Sequence, residues 1–304
     1  GGNRNVIING AQEVSQRHAG ASVPSSSQYV TDRWKVQSAG SAGDSQQIAS
    51  TIAGFKSSLK YTGDADIAWN QIGQQIEYKN YAHLVGEDVT ISFYAKANNT
   101  NGGSTALVLR TRSVTGEDGG ALFAGANTDT SVTISTTAAR YTVARTIPAD
   151  SKGFSVEFSL GAHVNTDGYE ITGIQLELGT VTAFEHRSYG EELALCQRYL
   201  YKSIGTHAYT PHGLGSTFAA NQVDFVTSYP VKMRANPTAS YGGTVSASKG
   251  TTISNFSSVG DAGGSTFNSF LRCTLAASSF TIGDCLTINN NNDATGYIQF
   301  DAEL

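Results

Sequence analysis

Aromatic side chains placed among amides are the residues of this sequence best suited to binding chemistry. Trp69 is followed by two amide residues, and Tyr78 and Tyr81 lie in a polar stretch shortly after it. An aromatic ring can stack on the apolar face of a sugar ring while neighbouring amides hydrogen-bond the sugar hydroxyls. The pattern therefore predicts a glycan-binding groove at Trp69, Tyr78 and Tyr81, although a rim of ordinary half-buried aromatic residues has the same pattern.

Three further aromatic residues, Tyr209, Tyr241 and Phe267, lie near loops predicted from Gly, Ser and Asn at Ser257 to Ser269 and Asn289 to Thr295. Loops mounted on a rigid scaffold are where binding surfaces usually lie. Polar, uncharged loops also suit sugar hydroxyls better than a charged partner. We therefore predict that recognition lies chiefly in the C-terminal region, with the groove around Trp69 as the alternative.

The acidic residues form no recognisable catalytic motif. The sequence contains no Gly-rich phosphate-binding loop, no G-x-S-x-G nucleophile elbow and no H-E-x-x-H pattern. Glycoside hydrolysis needs two carboxyl groups held about 5–9.5 Å apart across a cleft. The carboxylates that could take this role are Asp64, Asp66, Glu77 and Glu157. We predict that the chain has no hydrolytic activity and requires no cofactor.

Candidate metal ligands are few. His207 and His212 flank four residues, and two histidines from each of three subunits could close a metal site on a three-fold axis. Solvent-facing loop histidines give the same pattern, and we favour that interpretation. Asp64 and Asp66 lack the rest of a calcium-binding loop. We therefore predict no metal site.

The cysteines do not form a disulfide framework. Cys196, Cys273 and Cys285 are an odd number at no metal-ligand spacing. We expect buried or tolerated thiols, with a Cys273–Cys285 bridge as the alternative.

The composition excludes several classes of protein. Charged residues make up 15% of the 304 residues, against about 25% in an ordinary soluble domain, and the net charge is -5. The sequence has no dense cluster of Lys and Arg, so we predict no binding to nucleic acid. It has no stretch of about 18 apolar residues, so we predict no membrane insertion. The segment Gly1 to Gly10 has no signal-peptide pattern.

Alternation of apolar and polar residues dominates the chain. Val89, Ile91, Phe93 and Ala95 share one face of a predicted strand, and polar residues share the other. The same pattern predicts strands at Ala106 to Arg112, Arg140 to Ile147, Phe154 to Leu160 and Ile174 to Leu178. Turn signals rich in Gly and Asn separate these segments. Many short strands with such turns indicate an all-β sandwich or jelly roll.

One segment has helical rather than strand spacing. Ser188 and Glu191 form a capping box, in which each side chain satisfies a free backbone N–H of the first turn. The apolar positions Leu193, Cys196 and Leu200 follow at helical spacing. We predict a helix over roughly 189–203. The predicted organisation is an N-terminal jelly-roll β-sandwich at 1–187, a linking helix at 188–204 and a smaller C-terminal β-sandwich at 205–304.

Four stretches of the chain resemble a family of bacteriophage tail-fibre and related virion proteins. They are Asn5 to Arg17 followed by Asp32-Arg33-Trp34, Gln75 to Glu77 continuing to Ser92–Ala97, Gly173 to Gly179 continuing to Tyr189–Tyr199, and the ending Gly296 to Leu304. The resemblance covers residues 3–202 well and the C-terminal region loosely. It implies a jelly roll like those of carbohydrate-binding modules, then a smaller β-domain. No binding residue is carried over, because these stretches are mainly turns and core positions.

The resemblance also implies a place in the virion and a homotrimeric assembly. We predict a tail fibre that recognises a host-surface glycan, contacts other virion proteins and is synthesised in the cytoplasm of the host bacterium. Leu193 or Leu200 of the helix is the predicted trimer contact.

Two other functions fit the same sequence. A head fibre, collar or capsid-decorating protein would have this fold without a receptor role, and its position in the particle would distinguish it. A polysaccharide-degrading tailspike would have hydrolytic activity. We disfavour the tailspike because such enzymes usually need a long repetitive β-helix, and the sequence has no such period.

Overall fold

In the computed structural model the chain is almost entirely β-structure, as predicted. The structure describes residues 4–41, 43–64, 66–277 and 280–304. Its helices are α1 (Tyr78–Tyr81) and α2 (Tyr189–Gln197), with short 3-10 turns at Ala39–Ser41 and Ala82–Leu84. None of the helices in this part of the chain is long and apolar enough to cross a membrane. The chain divides into two compact units within α2, between Leu193 and Ala194.

Over its described residues, the N-terminal unit contains twelve antiparallel strands in two sheets. The strands are β1 (Val23–Pro24), β2 (Gln28–Thr31), β3 (Trp34–Ser38), β4 (Asp44–Ala49), β5 (Ser57–Thr62), β6 (Asn70–Ile76), β7 (Asp88–Asn98), β8 (Ala106–Val114), β9 (Asn127–Thr133), β10 (Ala139–Thr146), β11 (Gly153–Leu160) and β12 (Gly168–Leu178). The first sheet has the order β1-β4-β5-β12-β7-β10, and the second has the order β2-β3-β6-β11-β8-β9.

One apolar core joins the two sheets into a sandwich. Phe93 of the first sheet meets Phe158 of the second edge-on, with ring centroids 4.8 Å apart. Trp34 is fully buried beside Phe158. The alternation in β7 behaves as predicted, because Ile91 and Phe93 are buried on the inner face. The predicted β-sandwich is therefore confirmed.

The first stretch that carries the family resemblance has a structural role. The Trp34 indole N–H donates to the Asn9 carbonyl at 3.0 Å. The Asn9 side-chain amide donates to the carbonyls of Val14 at 2.8 Å and Asp32 at 2.9 Å. Glu192 of α2 accepts the Asn9 backbone N–H at 2.5 Å. This stretch thus orders the N-terminal segment against the sandwich.

Helix α2 begins as predicted but ends earlier. Glu191 accepts the Ser188 backbone N–H at 2.9 Å, and the Ser188 hydroxyl accepts that of Glu191 at 3.3 Å, so the capping box forms. The helix ends at Gln197, and the prediction that it continues to about 203 is wrong. The segment Leu200–Ile204 is instead strand β13, whose backbone pairs with β21.

The C-terminal unit is also all-β, and it takes the form of a closed barrel with an additional sheet. The strands are β13 (Leu200–Ile204), β14 (Pro211–Ala219), β15 (Gln222–Ser228), β16 (Thr238–Gly242), β17 (Val245–Lys249), β18 (Thr252–Gly264), β19 (Asn268–Leu275), β20 (Cys285–Asn290) and β21 (Tyr297–Asp301). The barrel has the order β14-β15-β19-β18-β17-β20, and the sheet has the order β13-β21-β16. Residues of both pack in one apolar core, including Phe225, Leu271 and Phe300.

One expectation for this unit changes, and the expectation of free thiols holds. The segment Ser257 to Ser269 is not a long loop, because most of it belongs to the paired strands β18 and β19. The three cysteines are free thiols, with Cys196 and Cys273 buried and Cys285 exposed. Burial raises the pKa of the Cys273 thiol to about 12, so this thiol is not reactive at neutral pH.

Candidate functional site

The outer face of the second sheet presents side-chain amides to solvent. Ile72 is fully buried in the core, so its strand neighbour Gln71 points to the opposite face. Gln71 pairs across the strands with Gln37 on one side and with Ser159 on the other. Neither glutamine side chain hydrogen-bonds to any part of the chain that the structure describes. These three residues form a polar floor whose amides are available to a ligand.

The β8–β9 loop, residues 115–126, covers one end of this face. The Gln75 side-chain amide donates to the carbonyls of Asp118 at 3.0 Å and Gly119 at 2.7 Å. Leu122 lies directly over Gly73, where a β-carbon would come within 2.7 Å of the leucine Cδ1. A glycine at this position therefore allows the loop to lie on the sheet.

Glu157 anchors the loop from below. Its carboxylate is fully buried, and the Arg112 Nε–H donates to both of its oxygens at 3.0 Å. It also accepts the Ser155 hydroxyl at 2.8 Å and the Phe123 backbone N–H at 2.8 Å. The carboxylate is therefore occupied by structural hydrogen bonds, and Glu157 is the residue that holds Phe123 in place.

Phe123 is the site residue that the sequence analysis missed. Its backbone has a φ of 61°, a left-handed conformation that is unfavourable for a bulky side chain. Such conformations are often maintained at binding sites, where the surrounding structure imposes them. Here the hydrogen bond to Glu157 holds the backbone against the sheet, and the residue remains partly exposed. The structure therefore places the backbone of Phe123, an aromatic residue, beside Glu157 at one end of the polar floor.

Trp69 lies at the other end of the floor. It precedes Asn70, whose side-chain oxygen accepts a hydrogen bond of 2.6 Å from the Tyr169 hydroxyl inside the sandwich. Alternation therefore puts Trp69 on the outer face with Gln71, and the residue is partly exposed. Gly73, beneath the loop, is four positions further along the chain, which is about 13 Å along an extended strand. Trp69 and Phe123 thus bracket the polar floor.

The other two aromatic residues of the predicted groove do not join Trp69. Tyr78 and Tyr81 follow the opposite end of β6 and pack edge-on at 5.6 Å. Tyr81 is fully buried, its hydroxyl lies 3.1 Å from that of Ser151, and burial raises its pKa to about 12. Tyr81 therefore offers no ring face and is removed from the predicted groove. Tyr78 is half-buried beside the β8–β9 loop, where its backbone N–H donates to Asp118 at 2.7 Å.

The predicted C-terminal aromatic residues also differ in their surroundings. Tyr209 precedes β14 and Phe267 lies between β18 and β19, and both are exposed. The strand register places them at the same end of the barrel. Tyr241 is half-buried against Phe256 and donates its hydroxyl to the Phe256 carbonyl at 3.1 Å. Tyr241 is thus engaged within the core, whereas Tyr209 and Phe267 remain candidates.

The remaining candidate residues have structural partners or stay untested. Leu200 is fully buried in β13, so it is not available for a contact between copies, whereas Leu193 is half-buried on α2. His212 lies 2.9 Å from the Ser203 hydroxyl and 2.8 Å from the Asn290 amide oxygen, and His207 is exposed. Ala65, between Asp64 and Asp66, lies outside the described residues. Among those residues no three His, Cys, Asp or Glu side chains form a metal-binding group.

Comparison with known proteins finds similarity in solved structures alone. No protein-family model matches the chain. No curated protein matches it either. The enzymatically active domain of bacteriophage CBA120 tailspike protein 4 is 14% identical, with a TM-score of 0.40 over 58% of this chain and 22% of that one. The CBM22-1 xylan-binding domain of Paenibacillus barcinonensis Xyn10C is 13% identical, with a TM-score of 0.38 over 60% of this chain and all of that one (100%). TmCBM61, solved in complex with β-1,4-galactotriose, is 13% identical, with a TM-score of 0.37 over 58% and 100% of the two chains.

Proposed function

We propose that the chain is a non-catalytic glycan-binding protein whose ligand lies on the outer face of the second sheet. One observation carries this proposal: Trp69 and Phe123 bracket a floor whose amides, Gln37 and Gln71, have no partner among the described residues. Sugar rings need apolar surfaces for their C–H faces and hydrogen-bonding groups for their hydroxyls. The stretch of about 13 Å along β6 from Trp69 to Gly73 beneath the loop suits an extended oligosaccharide better than a single sugar.

The absence of catalysis is part of the proposal. A glycosidase would need one carboxyl group to donate a proton and a second to act as base or nucleophile. Glu157 lies on the same face as the floor, two residues from Ser159, and Arg112, Ser155 and Phe123 occupy its oxygens. Asp64 accepts the Gly43 backbone N–H at 2.6 Å, and Asp66 is exposed. A reducing-sugar assay on host polysaccharide should therefore detect no turnover, whereas a tailspike enzyme would release reducing ends.

We further propose that the protein is a tail fibre of a bacteriophage, with a host-surface glycan as its ligand. This part rests on the resemblance of the N-terminal two-thirds of the sequence to virion proteins. Immunogold labelling of intact particles tests it. Label on the tail supports the proposal, and label on the head or collar would favour a decorating protein.

The binding face is tested with three single substitutions. Trp69→Ala and Phe123→Ala should each weaken binding of host oligosaccharide about five- to tenfold, because each removes one aromatic surface worth about 1 kcal/mol. Phe267→Ala removes a more exposed aromatic residue from the barrel and should leave the affinity unchanged. The measurement is titration calorimetry with purified oligosaccharide. Loss of binding in Phe267→Ala alone would instead place recognition in the C-terminal unit.

A further inference from the structure

A row of charged positions crosses the outer face of the second sheet beside the polar floor. The strand register pairs Lys35 of β3 with Gly73 of β6, and Gly73 with Glu157 of β11. Glu157 pairs in turn with Arg110 of β8, and Arg110 with Asp129 of β9. We call these residues the charged row. The residues of the polar floor lie two positions away along each strand, which is about 7 Å.

The charges of this sheet are paired with one exception. Within the described strands of the second sheet, the charged side chains are Lys35, Arg110, Arg112, Asp129 and Glu157. Arg112 donates to both oxygens of Glu157 at 3.0 Å. Arg110 donates to both oxygens of Asp129 at 2.8 Å. The Lys35 side chain has no hydrogen bond or ion pair with any part of the chain that the structure describes. The sheet therefore carries one unpaired positive charge, on a chain whose net charge is -5.

Lys35 faces outward from an inner strand of the sheet. Its neighbours Trp34 and Val36 are buried in the core, so alternation puts Lys35 on the outer face, where it is half-buried. Lysine is common on exposed edge strands, where its charge discourages pairing with another chain. Strand β3 lies between β2 and β6, so this role does not explain Lys35. A half-buried charge without a counter-ion loses part of its hydration, and an anionic group of a ligand would offset that loss.

The position of Lys35 beside the floor indicates which ligand carries that anionic group. Lys35 and Gln37 are alternate residues of β3, so a sugar bound to the Gln37 amide lies within reach of the flexible four-carbon stem of Lys35. A uronic acid carries its carboxylate on the edge of the sugar ring, beside the hydroxyls that amides bind. We propose that the polar floor binds an acidic oligosaccharide and that Lys35 pairs with a carboxylate of one of its sugar units. This inference rests on the proposed binding face, and it names the class of glycan that the face selects.

Acidic oligosaccharides and their neutral counterparts test this selectivity. The probes are oligogalacturonate, oligoalginate and hyaluronan fragments, each compared with the same compound after its carboxyl groups have been reduced to alcohols. Titration calorimetry on the full chain should show at least one acidic form bound about tenfold more tightly than its reduced form. This preference should shrink as the salt concentration rises from about 0.1 to 1 M, because the screening length falls from about 10 to 3 Å.

Substitutions at Lys35 assign the preference to one side chain. Lys35→Met removes the charge and keeps an unbranched stem, so it should abolish the preference for the acidic form and leave the affinity for the reduced form unchanged. Lys35→Arg keeps the charge and should keep the preference. Lys60→Met is the matched control, because Lys60 is also a half-buried strand residue but lies in β5 of the first sheet. Circular dichroism checks that each variant is folded.

The outcomes separate this inference from the binding face on which it rests. A preference that survives Lys35→Met, or an equal loss in Lys60→Met, would overturn the inference. Equal affinity for acidic and reduced forms would also overturn it, and a loss of both affinities in Trp69→Ala would then leave the face standing. Affinities that Trp69→Ala does not change would contradict the face itself. Absence of binding by every probe would overturn the acidic class, and host oligosaccharide would then test the face alone.

Discussion

At the scale of single residues, Glu157 links the stability of the sandwich to the proposed binding face. Removing a carboxylate from water is costly, and the cost is offset only when a counter-charge and hydrogen bonds satisfy it. Arg112 supplies the charge, and Ser155 and the Phe123 backbone supply the remaining hydrogen bonds. The buried carboxylate of Glu157 therefore determines where Phe123 is held at the end of the floor.

Glu157→Gln should destabilise the protein by about 3 kcal/mol, because it leaves the buried Arg112 charge without its partner. Arg110→Gln is the matched control, since the Arg110–Asp129 pair on the same face is much more exposed and is worth at most about 1 kcal/mol. Urea unfolding followed by circular dichroism measures both. Equal losses in the two variants would show that burial does not distinguish these ion pairs.

The sequence pattern identified Trp69 but could not identify Phe123. Trp69 stands beside amide residues in a segment whose side chains alternate between the core and the outer face. This pattern can be recognised from neighbouring residues in the sequence. The exposure of Phe123 depends on a loop that is held by Gln75 and Glu157, which are distant in the chain. Gly73 and Gln75 are alternate residues of β6 and leave a small, polar surface on its outer face, but the sequence pattern alone did not predict this strand.

At the scale of elements, periodicity predicted the strands better than the ends of the helix. Strands β7, β11 and β12 follow from alternation, since one face of each is buried in the core. Leu200 fits both the helical spacing after Leu193 and the alternation of β13, and pairing of β13 with β21 decides between helix and strand.

The segment 257–269 has the composition of a loop. Its small residues are nevertheless tolerated in a barrel strand, because the backbone of β18 pairs with β17 on one side and with β19 on the other. Closure of the barrel depends on such long-range pairing and has no local signal.

The loop that follows β20 contains a carboxylate that should make the barrel sensitive to acid. Asp293 accepts hydrogen bonds from the Thr295 backbone and hydroxyl and from the Thr244 backbone, and these lower its pKa from 3.8 to about 2. The ionised form is thus favoured by folding, so its stabilising contribution is present above pH 3.8 and is lost as the pH falls towards 2. Asp293→Asn should flatten the dependence of the melting temperature on pH within that window. A wild-type slope retained in the variant would assign the acid sensitivity to another group.

At the scale of the whole molecule, the two units carry different kinds of surface. The N-terminal unit presents the polar floor between Trp69 and Phe123, and the C-terminal unit presents exposed apolar side chains on its barrel, among them Leu214 and Val226. Assembly of several copies, as the resemblance to tail-fibre proteins implies, would give each assembly several identical glycan sites. Simultaneous engagement of linked sites can raise the apparent affinity about 10²- to 10⁴-fold without any new contact. A modest affinity at each site is therefore sufficient for firm attachment to a glycan-coated surface.

The accessibility of Trp69 tests the central claim most directly. The chain has two tryptophans, of which Trp34 is fully buried and Trp69 is partly exposed, so a soluble fluorescence quencher such as acrylamide reports chiefly on Trp69. Saturating host oligosaccharide should reduce quenching of the wild-type protein, because the ligand covers the indole, and should have no such effect on Trp69→Phe. Oligosaccharide that binds the wild-type protein while quenching stays unchanged would contradict a binding site on this face.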